Sequence, residues 1–122
     1  QQLVIPALRQ GKVVITDRYK YSSIAYGSLN CNKEWLIAVN SPFLKPNVLI
    51  VLDVPVEVAL ERIKVSRFGF ELFENNKLEI VRKNFIQLAQ EENGYIIDAS
   101  QPIAKVHERI IDIVVAEMNV EL

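Results

Sequence analysis

Cysteine, histidine, tryptophan and methionine each occur once in these 122 residues. A lone Cys31 excludes an internal disulfide framework and any multi-cysteine zinc site. His107 has no second histidine or cysteine partner nearby, so it reads as a surface or satisfied helix residue rather than a metal ligand. An excess of either charge is also lacking. The net charge of −1 leaves no broad basic face for nucleic acid or an anionic membrane. Any phosphate binding must therefore be local. Long apolar runs are missing too: the longest purely aliphatic one, Val48 to Leu52, is far too short to span a bilayer. The start, Gln1-Gln2-Leu3-Val4-Ile5-Pro6, carries no basic n-region and no cleavage signature. Together these features favour the cytosol.

What is present reads as a folded domain. Half of the chain is apolar and about a quarter is charged, as in a globular protein. Residues 1–10 read as the end of a helix, with Gly11 as the residue that stops it. Pro6 inside it is a blemish. Because the first residue is Gln1 and that helix looks already under way, the natural chain is expected to begin earlier. Lys12 to Thr16 reads as a strand. Ser22 is placed to cap a helix running through Tyr26, and Glu34 to Val39 reads as a further short helix. Val48 to Leu52 is apolar on both faces, which suits the buried centre of a parallel sheet.

Beyond it, Val56, Ala59, Leu60 and Ile63 give one apolar helix face. Glu74 to Glu91 repeats that pattern with Leu78, Val81, Phe85 and Leu88. Tyr95 to Ile97 reads as a third strand. The last helix begins near Pro102, with Ile103, Val106, Ile110 and Ile113 on one face. This alternation of strands and helices predicts an α/β fold, an open parallel sheet flanked by helices.

In such sheets ligands bind beyond the carboxyl ends of strands. Asp17-Arg18, Asp53 and Asp98-Ala99-Ser100 all stand at such ends. Arginine offers a rigid fork for phosphate oxygens, and an adjacent carboxylate can hold a hydrated Mg²⁺. An Asp-Arg surface pair without function competes with that reading. Ser23 and Tyr26 share a helix face and together could read a sugar or base, although Tyr26 alone fits core packing as well. Residues 62 to 74 combine Arg62, Lys64 and Arg67 with Gly69, which fits either a lid over phosphates or a solvated connector. Ala99 is small enough for a flat ligand to approach the backbone, while Ser100 could simply cap the next helix. Trp35 and Cys31 read as packing or interface residues.

Thr16-Asp17-Arg18-Tyr19, Ser22-Ser23 and Ala25-Tyr26 resemble the Asp-Arg-Tyr segment of thymidylate kinases. Leu52 to Ile63 resembles the family's fourth strand and following helix, Phe73-Glu74-Asn75 its Phe/Tyr-Glu pair, and Ile97 to Ser100 its last strand and adenine-side loop. The resemblance implies a P-loop kinase fold and transfer of a phosphoryl group from ATP to dTMP with Mg²⁺, commonly by a homodimer. It implies that Arg18 grips the dTMP phosphate and that Asp17 works near the metal, through water. Ser23 would meet the thymine edge and Tyr26 the deoxyribose. Arg67, in a lid of about residues 64–73, would approach the transferring phosphates. Arg62 with Asp98, Ala99 and Ser100 would lie towards adenine, and Glu74 would support the monophosphate side.

The sequence also departs from the family pattern. Its four glycines, Gly11, Gly27, Gly69 and Gly94, form no G-x-x-x-x-G-K-[ST] loop, so nothing here cradles the ATP phosphates. The upstream Phe and Arg used on dTMP are missing. Asn47 and Leu72 stand where the family often has Asp and Arg. The expectation is therefore the C-terminal part, residues 1–122, of a single kinase domain with its P-loop strand missing. That strand would lie between the strands at 12–16 and 48–52. The competing readings are a kinase for another pyrimidine monophosphate, or a P-loop-less nucleotide-binding remnant that catalyses nothing.

Overall fold

The computed structural model describes residues 3–66 and 75–119. In chain order the elements are α1 (Val4–Arg9), α2 (Lys20–Gly27), α3 (Lys33–Asn40), β1 (Ile50–Asp53), α4 (Val56–Ser66), α5 (Asn75–Glu91), β2 (Tyr95–Asp98) and α6 (Ile103–Met118). β1 and β2 run parallel, with Ile50 opposite Tyr95 and Asp53 opposite Asp98. Two parallel strands joined through helices make this an α/β fold, as the alternation predicts.

Local signals set most boundaries. Gly11 stands just past α1 at φ 76, a left-handed conformation that glycine adopts without a Cβ clash. The Asn32 side chain accepts the Trp35 backbone N–H at 2.9 Å and starts α3. Asn119, also left-handed, ends α6. Gly94 precedes β2 for a different reason. A Cβ there would lie 3.1 Å from the Leu49 side chain and 3.2 Å from the Leu49 carbonyl oxygen, and the backbone cannot yield as a side chain does.

Three expectations are corrected. Lys12 to Thr16 is not a strand, so among the described residues the sheet has two strands, not three. A run such as Val13-Val14-Ile15 becomes a strand only where a neighbour takes its N–H and C=O groups, and no strand among the described residues pairs with it; Ile15 is left 89% exposed. β1 begins two residues later than its apolar run and ends on Asp53. It is not covered on both faces either. Leu52 is in register with Ile97 on the same face, yet Leu52 is 52% exposed and Ile97 only 3%. Finally, α2 starts at Lys20 after an extended Tyr19, so Ser22 lies inside its first turn rather than capping it.

The core forms where α5 meets α2. Tyr21, Ile24 and Ala25 of α2 pack with Val81 and Leu88 of α5, and Tyr19, Tyr26, Leu29, Leu36, Leu49 and Phe85 border them. Val81 and Leu88 thus face inward as the helical spacing predicts, and Leu78 and Phe85 are partly buried. In α6, Ile113 is buried and Val106 and Ile110 partly so, but Ile103 projects into solvent at the helix start. α5 also packs on both strands, which makes it the element that ties α2 to the sheet. No described helix is long and apolar enough to cross a membrane.

Candidate functional site

The turn leading into α2 places Arg18 in an unusual backbone state. Its φ of 50 is in the left-handed region, which a residue with a Cβ enters only when its surroundings hold it there. The guanidinium lies back along the first turn of α2. Nε and Nη2 both donate to Ser22 Oγ, at 2.9 and 2.7 Å. The guanidinium carbon also lies 5.3 Å from the centre of the Tyr26 ring, within cation–π range.

The same ring is also contacted by α5. Phe85 meets Tyr26 edge-on at 5.9 Å between centroids. The adjacent Asn84 donates to the Ala25 carbonyl at 3.0 Å. Arg18, Tyr19, Ser22, Ser23 and Tyr26 line an open hollow of about 410 Å³. Three of the residues foreseen for the acceptor end, Arg18, Ser23 and Tyr26, therefore meet at this hollow, and Asp17 is not part of its lining. Arg18, Ser23 and Asp17 are exposed, and Tyr26 is half-buried. Asp17 has no hydrogen-bond or ion-pair partner for its carboxylate among the described residues.

The carboxyl ends of the strands form a second cluster. The two Asp53 carboxylate oxygens accept from Arg82 Nε at 2.7 Å and Nη2 at 3.1 Å, a fork on α5 gripping the end of β1. Glu79, one turn earlier, lies 3.7 Å from Arg82 Nη1. Hydrogen bonding to Asp53, together with the nearby negative charges, raises the Arg82 pKa above its ordinary value. At the end of β2, the Asp98 carboxylate accepts from both the Ser100 hydroxyl and the Ser100 backbone N–H, the latter at 2.9 Å. The Ala99 N–H donates to the Asp53 carbonyl at 2.8 Å, and Arg62 Nη1 donates to the Ala99 carbonyl at 2.9 Å. Arg62, Asp98, Ala99 and Ser100 thus lie together at this strand end. Ser100 does not cap α6, whose first turn follows an extended Pro102.

The Asp98 turn gives a titration to test. The Ser100 hydroxyl, and secondarily its N–H, hold the Asp98 carboxylate below the usual range. A depressed carboxylate stabilises the fold above its unfolded-state pKa, and that contribution disappears as pH falls through the folded-state pKa. Replacing Ser100 with alanine is expected to move the Asp98 pKa back up towards the ordinary carboxylate value. Carboxyl-carbon NMR titration of Asp98 would show it; an unmoved midpoint would mean the hydroxyl bond does not exist in solution.

Arg67 and Glu74, and with them most of the lid at 64–73, lie outside the described residues. Three contributors escaped sequence reasoning. Ser22 was read only as a helix cap, and spacing alone does not distinguish it from Ser23 as the partner of Arg18. Arg82 borders the apolar face defined by Val81 and Phe85, and a cation at such a border is a signal for a strand-end carboxylate. Phe85 was read as core and also backs the ring. A separate hollow of about 220 Å³, lined by Tyr21, Lys45, Asn47, Glu92 and Tyr95 among others, sits at the amino ends of both strands. Ligands of open parallel sheets approach the opposite ends, and Lys45 and Glu92 are already paired at 3.2 Å.

The fold and site thus define an α/β protein with an arginine fork and an aromatic ring at one open hollow. Comparison with known proteins narrows this. The thymidylate kinase family profile matches residues 1–110. A probable thymidylate kinase of Saccharolobus solfataricus is 43% identical over 108 residues, covering 88% of this chain and 57% of that protein. One from Metallosphaera sedula is 38% identical, covering 84% of this chain and 53% of the relative. One from Pyrococcus abyssi is 37% identical, covering 97% and 59%. The chain belongs to the thymidylate kinase family. It spans between 53% and 59% of the length of these relatives.

Proposed function

We propose that the protein is a nucleoside monophosphate kinase that transfers the γ-phosphoryl group of ATP to dTMP, giving dTDP and ADP. In this reading residues 1–122 form the C-terminal part of one kinase domain and supply the phosphate grip, the base pocket and the lid. The observation that carries it is the Arg18 guanidinium, fixed by Ser22 and Tyr26 at the mouth of an open hollow within a thymidylate kinase sequence.

An acceptor phosphate oxygen attacks the γ-phosphorus while the bond to the β–γ bridging oxygen breaks, and ADP leaves. The protein has little covalent work in such a transfer, so its task is positioning and charge neutralisation. Arg18 binds the acceptor's phosphate oxygens. The Tyr26 ring packs by the deoxyribose, where a 2′-hydroxyl would crowd it. Ser23, exposed on the same helix, meets the base edge. Arg67 joins from the lid, and Glu74 steadies the monophosphate side. Arg62 and the Asp98-Ala99-Ser100 turn take the adenine end of ATP. Asp98 contributes there as a shaper of the turn, since Ser100 occupies its carboxylate.

The residues fit Mg²⁺ through Asp17. Its carboxylate is exposed and engages no other described residue, and Mg²⁺ is ordinarily held by one or two carboxylates, waters and substrate phosphates. When bound, the ion would offset phosphate charge. The same reading carries a homodimer in the cytoplasm.

The test is ADP release by the full natural protein with dTMP, dUMP, UMP and dCMP as acceptors. dTMP is expected to be fastest and UMP slowest. Equal rates with UMP and dUMP would remove the role given to Tyr26. No ADP release with any acceptor would remove the kinase.

A further inference from the structure

Ser22 is absent from the residues assigned above to the ligand, yet it makes the closest contacts of Arg18. We infer that Ser22 is the positioning residue that selects which edge of the Arg18 guanidinium meets the acceptor phosphate. The inference rests on the proposed role of Arg18.

A guanidinium has five N–H groups along its edges. Ser22 Oγ accepts from Nε and Nη2, so it occupies the edge nearest the Arg18 stem. The edge formed by Nη1 and the second Nη2 hydrogen remains for a bidentate oxyanion. A hydroxyl is suited to this. Its two lone pairs accept both N–H groups, and it leaves the positive charge uncancelled, as a carboxylate in the same place would not. Ser22 is only 7% exposed although it borders the open hollow. The Tyr26 ring lies against the guanidinium while Ser22 holds one of its edges. Rotation of the group about its last torsions would break both contacts, so the fork is oriented before the ligand arrives. Pre-orientation of this kind strengthens binding by removing the ordering cost.

Ser23, one residue on, is exposed and has a different task. The inference therefore separates two adjacent serines. Ser22 acts on the phosphate through Arg18 and makes no contact with the base.

The experiment compares dTMP with thymidine, which lacks the phosphate, by titration calorimetry on the full natural protein. Ser22→Ala is expected to weaken dTMP about tenfold, the loss typical of a hydrogen bond to a charged group, and to leave thymidine unchanged. An isosteric Ser22→Cys variant, whose sulfur accepts only weakly, should fall on the side of alanine. In an Arg18→Ala background, Ser22→Ala should have no further effect on dTMP. Equal loss of both ligands would overturn the inference, because Ser22 would then merely support the helix. Additive losses in the double variant would overturn it as well. If Arg18→Ala alone leaves the preference for dTMP over thymidine intact, the failure lies instead with the phosphate role of Arg18. Unchanged dTMP binding in Ser22→Ala while Arg18→Ala abolishes that preference would leave Arg18 standing and remove Ser22.

Discussion

Replacing Arg18 with alanine is expected to lower kcat/KM for dTMP by about a thousandfold, the upper range for loss of one preorganised group on a developing anion. The effect on stability should be small, because Arg18 is exposed and its partners, Ser22 and Tyr26, keep their own backbone and ring contacts. Arg18→Lys tests the geometry separately. Lysine keeps the charge but cannot span the Ser22 oxygen and a phosphate with one planar fork. It should recover only part of the loss. Steady-state ADP release in the full natural protein, with thermal unfolding alongside, checks both. A lysine variant at wild-type rates would show that charge alone suffices and that the fork is irrelevant.

Leu88→Ala is expected to destabilise the fold by about 3 kcal/mol, the middle of the range for removing a buried leucine side chain. Leu88 is buried in the cluster joining α5 to α2, beside fully buried Ala89. Loss of that packing should reach the site, because the same helix carries Phe85 against Tyr26, Asn84 against Ala25 and Arg82 against Asp53. Urea unfolding followed by far-UV circular dichroism measures the loss, and the denaturant slope should stay constant if only stability changes. A shift below about 1 kcal/mol would mean that the site of Leu88 can collapse around the gap, or that α5 is held mainly by its polar anchors.

Those anchors show what a linear reading misses. The helical faces were legible because the period of the apolar residues is local: Val81, Phe85 and Leu88 identify the inner side of α5 without any knowledge of what it meets. Arg18, Ser23 and Tyr26 were legible from their residue types and spacing, and they do line one hollow. The strand at 12–16 was misjudged because strand formation depends on a partner supplied from elsewhere, whereas β-branched composition is intrinsic. Asp98 and Ser100 were read as candidates at a strand end, but their bond to each other was not foreseen, although an aspartate followed two residues later by serine favours such a turn.

By itself the sequence determined the α/β alternation and the family, and it singled out Arg18, Ser23 and Tyr26 as candidates. All of these rest on local periodicity or on short runs of residue types. Only the tertiary structure decided that Ser22 rather than Ser23 takes the Arg18 edge, and that Arg82 grips Asp53 from 29 positions away. Spacing allows either serine to approach Arg18; which one does depends on the rotation of α2 once Ile24 and Ala25 are buried against α5. The Asp53–Arg82 pairing has no local signature, because the angle at which α5 lies across the strands is set by packing and not by the helix itself.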